Sequence, residues 1–185
     1  MESIQYINYI AALIRCKDII MEKNLKIIGV DYNELYVNAA KDNIRNAKLE
    51  DYVQVYCASI YDIDQIREYM KDEKLQTVYF SGSFSLLPDP SSALLAVSHL
   101  LRDNGKIYIT QTYQRKTPPL IAQIKPLIKY VTTIDFGKLI RVQDVEEIFE
   151  QAKDVLEVEV HEVMGKDSID NMFQAAYISI LKLKH

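Results

Sequence analysis

The chain has 185 residues, 49% apolar and 26% charged, with 22 basic and 26 acidic side chains and a net charge of −4. A chain of this length makes about one domain with a core of its own, and the composition excludes disordered, collagen-like and coiled-coil chains. No apolar run approaches the ~18 residues that a membrane-spanning helix requires, and mild acidity argues against non-specific nucleic-acid binding.

Ile4, Ile7, Ile10, Ala11 and Ile14, followed by Ile19 and Ile20, recur every three to four residues. The spacing predicts an amphipathic helix from Ser3 to Met21. Lys26 to Asp31 is a short apolar run ending in an acid, read as a buried strand. Asn33 is the N-cap of the helix that follows, with Tyr36, Ala40, Ile44 and Ala47 on its apolar stripe. Val53 to Cys57 alternates in polarity and is a second strand. A polar, helix-leaning stretch from Asp62 to Lys74 leads to a third strand, Thr77 to Phe80. Ser81-Gly82-Ser83 forms a loop, and Asp89-Pro90 supplies an N-cap and first helical position. The helix through Leu94, Val97 and Leu101 is expected to stop at Asn104-Gly105. Lys106 to Thr110 is a fourth strand, and residues 120–130 and Gln143 to Ala152 read as helices. Val155 to Val163 and Phe173 to Leu183, separated by Gly165-Lys166-Asp167-Ser168, close the chain as an antiparallel hairpin. Helices alternating with short buried strands mean an α/β, three-layer, Rossmann-like fold, mostly parallel with an antiparallel C-terminal pair. There is no linker or repeat, so residues 1–185 read as a single domain.

Metal and nucleophile chemistry find little support. Cys16, Cys57, His99, His161 and His185 are scattered without zinc or iron–sulfur spacing. The first residues, Met1 to Tyr6, show no secretory signal, and free cysteines then point to a reducing, cytoplasmic setting. Ser81-Gly82-Ser83 lacks the G-x-S-x-G elbow that a serine nucleophile requires. Glu146 and Glu150 read as a solvated helix face. Between Arg115 and Arg141 stand six basic residues and one acid, Asp135; from Val142 to Asp170 there are ten acids against Lys153 and Lys166. The simpler reading of the basic stretch is a solvated face balanced by the acidic one, with an anionic substrate or RNA as the functional alternative. The mixed run Tyr130 to Gly137 reads as packed rather than as a loop.

In an open parallel sheet, ligands sit at the carboxyl ends of the strands. That singles out the loops after Asp31, Cys57, Phe80 and Thr110. A carboxylate has two acceptor oxygens and can take both hydroxyls of a ribose. Asp31 is placed for that, the plainer alternative being that it caps the next helix.

Three stretches, Ile27 to Asn33, Phe80 to Pro90 and Leu100 to Ile109, together with the closing hairpin, resemble class I S-adenosylmethionine-dependent methyltransferases in order and spacing. The resemblance implies a small-molecule cofactor, S-adenosylmethionine. Asp31 would hold its ribose, with Tyr32 as a pocket wall. Ser59 stands where the family usually has an acid near the adenine amino group, and Ile60 would pack on the adenine face. Ser81, Gly82 and Ser83 match the loop under the methionine part, while Phe84 and Leu87 would line the substrate side. The family's glycine-rich loop, whose backbone approaches the methionine end, precedes its first helix. Here the five glycines begin at Gly29, and Ser3 to Met21 already matches that helix. The expectation is therefore a domain truncated at its N-terminus relative to the family, its first strand missing or rebuilt. Placing a degenerate first strand at Gln5 to Ala12 is the alternative. Weak or no cofactor binding follows, and unpaired strand edges favour a homodimer. The chain reads as a methyltransferase-like protein, with a non-catalytic binding module or a nicotinamide-dependent oxidoreductase as rivals.

Overall fold

A computed structural model describes residues 10–116, 141–166 and 168–184. Ile4, Ile7, the helix expected over residues 120–130, and the run Tyr130 to Gly137 lie outside the described residues. The chain divides into two compact units, Met1–Glu73 and Lys74–His185, each with its own strands. Among the described residues no helix is long and apolar enough to cross a membrane.

In the first unit, residues 10–15 are helical, and helix α1 (Lys17–Glu22) follows after a turn at Cys16. Ile10 to Ala12 are thus helical, against the strand alternative. The break at Cys16 interrupts the expected stripe: Ile10 and Ile20 enter the core, whereas Ile14 and Ile19 are 39% and 50% exposed. Strands β1 (Ile27–Asp31) and β2 (Val53–Cys57) pair in parallel from Ile27↔Val53 to Asp31↔Cys57. Between them lies α2 (Glu34–Asn46), capped as expected by the Asn33 side chain, which accepts from the Leu35 N–H.

The far end of α2 closes with Lys48 in the left-handed region (φ 58°), where glycine is usual. Lys48 N–H bonds the Arg45 carbonyl and Leu49 N–H the Ile44 carbonyl, and Leu49 and Ile44 meet in the same apolar cluster. Helix α3 (Ile63–Met70) follows β2 and is capped by Asp62. The unit's core gathers Ile10, Ile20, Val37, Ala40, Ile44, Leu49, Val53 and Val55. Val37 therefore belongs to the α2 stripe, and Tyr36 only flanks it. Strand β1, apolar enough to read as fully buried, is only half-buried at all five residues, because it pairs with β2 alone among the described residues.

The second unit holds a four-stranded sheet in the order β3-β4-β6-β5, built from β3 (Leu75–Ser81), β4 (Leu101–Gln114), β5 (Leu156–Val163) and β6 (Gln174–Leu183). β3 and β4 run parallel, while β6 is antiparallel to both β4 and β5, the expected closing pair. No ladder links β1 or β2 to this sheet among the described residues.

After β3 come a single 3₁₀ turn (Phe84–Leu86) and α4 (Pro90–Ser98); α5 (Val142–Gln151) precedes β5 and lies against α4. The helix expected to run to Asn104-Gly105 stops at Ser98 instead, and Leu101 already opens β4. Leu101 pairs with Leu75 and Lys106 with Thr77, so residues 102–105 bulge out of the ladder. Gly105 is not a left-handed helix stop; it sits in that bulge.

Asp89 caps α4 as the sequence predicts. Its carboxylate accepts from Ser92 N–H at 3.0 Å, from Ser91 Oγ at 2.8 Å and from Ser92 Oγ at 2.6 Å. The Ser92 bonds, with help from Ser91, hold its carboxyl at about 2. A group whose folded value is depressed stabilises the fold above its unfolded value of 3.8 and loses that contribution as pH falls toward about 2. Asp89→Asn should therefore lower the urea midpoint at pH 6 and flatten its acid dependence below pH 4. Identical acid profiles for the variant and the parent chain would remove Asp89 from the account.

Candidate functional site

The parallel strands end at the rims where ligands are expected, and each unit presents one. In the first unit, the β1–β2 register sets Asp31 beside Cys57, and Ala58 N–H bonds the Asp31 carbonyl at 3.0 Å. This brings the loop carrying Tyr32 next to the loop carrying Ser59 and Ile60, and Cys57 Sγ reaches the Tyr32 carbonyl at 3.6 Å. Tyr32 is 84% exposed. Ser59 is exposed and turns its hydroxyl back to the Tyr61 N–H at 3.3 Å, while Ile60 is half-buried.

Asp31 does not cap α2; Asn33 does. Oδ1 of Asp31 accepts from the Asn33 N–H at 2.8 Å, and no hydrogen bond to its other oxygen is found among the described residues. Half-burial pushes its carboxyl above the usual carboxylate value, and the Asn33 bond only partly offsets this. A partly desolvated carboxylate with acceptor capacity to spare suits a vicinal diol.

In the second unit, Ser81 ends β3 opposite Thr110. Gly82 takes a left-handed φ of 67°, and its N–H bonds the Thr110 carbonyl at 2.8 Å. Glycine is favoured there because a Cβ is strained at such a φ. Ser83 is exposed. Phe84 does not face a ligand: it is fully buried and packs edge-on against Phe80, ring centroids 5.6 Å apart. Leu87 is half-buried.

The fourth strand, expected to end at Thr110, runs on to Gln114, past the end of β3. The β-branched and aromatic residues Thr110, Thr112 and Tyr113 are the signal for that extension. Gln111 Oε1 accepts from the Ser85 N–H at 3.4 Å and so ties the strand to the loop after Gly82.

Of the basic stretch, Lys125, Lys129 and Lys138 lie outside the described residues. Arg115 is engaged within the fold, bonding Asp170 at 2.6 Å and the Asn171 carbonyl at 3.2 Å in the β5–β6 connection. Among the described residues no cluster of His, Cys, Asp or Glu could hold a metal ion, and Cys16 and Cys57 are both free thiols.

A family model described as "Methyltransferase domain" matches residues 8–176. The tRNA (guanine(6)-N2)-methyltransferase of Methanocaldococcus jannaschii is 45% identical over 42 residues, 22% of this chain and 11% of that protein. The chain thus spans about a tenth of this relative's length. The crystal structure of MccD protein superposes with a TM-score of 0.65 at 14% identity, covering 91% of this chain and 84% of that one. The structure of LepI in complex with SAM superposes with a TM-score of 0.58 at 12% identity, covering 94% of this chain and 40% of that one. At these identities the superpositions speak for the α/β fold, and the family match covers most of the sequence. The chain belongs to the methyltransferase domain family, with its Rossmann-like fold.

Proposed function

We propose that this chain is an S-adenosylmethionine-dependent methyltransferase-type protein, a single domain whose adenosine-binding residues are Asp31, Tyr32, Ser59 and Ile60. The observation that carries this reading is Asp31, half-buried at the end of β1 and relieved of capping by Asn33. Asp31 would take the ribose hydroxyls, Tyr32 would supply a ring wall, and Ile60 would give an apolar face for adenine. Ser81, Gly82 and Ser83 keep the methionine-side role that the resemblance assigns them. The cofactor, when bound, supplies a sulfonium methyl for in-line transfer to a nucleophile, and the protein's part is binding and orientation. A second reading, a non-catalytic binding module on the same fold, is favoured by one observation: the exposed Ser59 stands where the family usually has an acid.

Titration calorimetry with S-adenosylmethionine separates the two. The expected result is binding weaker than micromolar, since Ser59 stands where the family usually has an acid. Asp31→Ala should weaken it by a further 10- to 100-fold, roughly the 1.5–3 kcal/mol of hydrogen bonds to a charged acceptor. Micromolar affinity in the parent chain would overturn the weak-binding expectation. Unchanged affinity in the variant would take Asp31 out of the site, and absence of any binding heat would favour the module.

A further inference from the structure

One cross-sheet row of the second unit changes character as it passes from β3 to β5. Phe80 pairs with Ile109, Ile109 with Ser179, and Ser179 with His161, so the four share one face of the sheet. The row begins in core residues and ends in an imidazole. Ser179 is fully buried, and its Oγ meets His161 Nδ1 at 2.8 Å. Aromatic rings close around the imidazole from three elements. Phe149 of α5 stands perpendicular to it at 5.5 Å, Tyr177 of β6 stacks on it at 5.0 Å, and Tyr113 of β4 lies 6.2 Å away.

Two polar atoms in this cluster are buried without a hydrogen-bond partner among the described residues, His161 Nε2 and Tyr113 Oη. Burial pushes the Tyr113 hydroxyl's pKa up, and the Ser179 side chain opposes part of that. Buried polar atoms almost always find partners, so two orphans in one cluster mark a place whose state has yet to be completed or exchanged.

Protonation of the imidazole is the exchange that this geometry opposes. A neutral ring needs one partner per nitrogen in either tautomer, and Ser179 serves Nδ1. An imidazolium donates from both nitrogens. His161 as a whole is half-buried, but its Nε2–H would then be a charged donor shielded among rings with no acceptor among the described residues, and the packing there would have to open to water. We propose that His161, with Ser179 and Tyr113, forms an acid-sensitive latch that holds α5 on the β5–β6 end of the sheet while the imidazole is neutral.

The groups that face His161 are few. From α5 they are Phe149 and the exposed Glu146, from β4 Tyr113, and from β6 Ser179 and Tyr177. Burial lowers the imidazole's pKa from its ordinary 6.5, and the negative charge of Glu146 opposes that without reversing it. With the folded value below the unfolded one, the latch contributes fully above pH 6.5 and its contribution falls away as pH drops from 6.5 toward the folded value.

The test is amide hydrogen exchange of the full chain between pH 7.5 and 5, corrected for intrinsic rates, with nuclear magnetic resonance titration of His161 alongside. Protection of the Val145 and Phe149 amides in α5 should fall on acidification, by up to about tenfold for each pH unit separating the unfolded and folded His161 values. His161→Gln should abolish that pH dependence. Glu146→Gln changes an exposed side chain and should shift His161 titration to lower pH, which a merely structural contact would not do. Protection that stays flat with pH overturns the latch, as does an unchanged slope in His161→Gln or a His161 that titrates at or above 6.5. Should His161→Gln fail to fold, the titration of the parent chain and of Glu146→Gln decides alone.

Discussion

Ile109→Ala is expected to cost the second unit about 2–5 kcal/mol, read as a lower urea midpoint with an unchanged slope. Ile109 is completely buried in β4 and pairs with Phe80 on one side and Ser179 on the other. Removing its three outer carbons leaves a space that its neighbours cannot easily fill. Phe80 is held edge-on against Phe84, and Ser179 is tied to His161. The cost should therefore sit in the upper part of the range, because incomplete collapse is what separates expensive from cheap truncations. Ile109→Val, which removes a single methylene, should cost about 0.5–1.5 kcal/mol. A loss below about 1 kcal/mol for the alanine variant would show that β4 is less tightly enclosed than its burial indicates.

Gly105→Val should destabilise the same unit by about 1–3 kcal/mol through overpacking. A Cβ at this position would stand 3.0 Å from the Arg102 carbonyl, 3.0 Å from Leu101 Cδ2 and 3.0 Å from the Leu75 carbonyl. Two of those three atoms are backbone and cannot swing away, so the bulge between Leu101 and Lys106 would have to shift as a whole. Gly29→Ala is the matched control. Its added Cβ would meet Val55 side-chain carbons at 3.5 and 3.7 Å and the Gln54 carbonyl at 3.9 Å, ordinary contact distances. That variant should lie within about 0.5 kcal/mol of the parent chain. If both glycine variants unfold at the same urea concentration, the close approach at Gly105 is not what retains glycine there.

The local elements were legible in the sequence because their signals are local. Asn33 and Asp89 each accept from a backbone N–H of the helix they precede, a bond formed within three residues. The alternation Val53-Gln54-Val55 matches the buried and exposed sides of β2 residue by residue. The antiparallel hairpin followed from two long apolar runs around a Gly-Lys-Asp-Ser connection. The family was legible too, since three stretches in register carry it.

What the sequence did not disclose was decided by partners far along the chain. Asn104-Gly105 has the composition of a helix stop, but Leu101 is claimed by Leu75, and the strand ladder outcompetes the last turn of α4. β1 reads as a fully buried strand from Ile27, Ile28 and Val30, yet a strand's burial depends on what pairs at both its edges, and among the described residues only β2 does. Phe84, beside a ligand loop in sequence, turns inward because Phe80 offers a ring to pack on. His161 and Ser179, 18 residues apart, became a pair only when β5 and β6 aligned them. The sequence by itself determined the α/β class, the element order, the helix caps and the position of Asp31 at a strand end, all set by contacts within a few residues or by simple periodicity. Tertiary structure alone decided the bulge at Gly105, the half-burial of β1 and Asp31, and the closed cluster around His161, because each depends on which distant residues fill the space beside it.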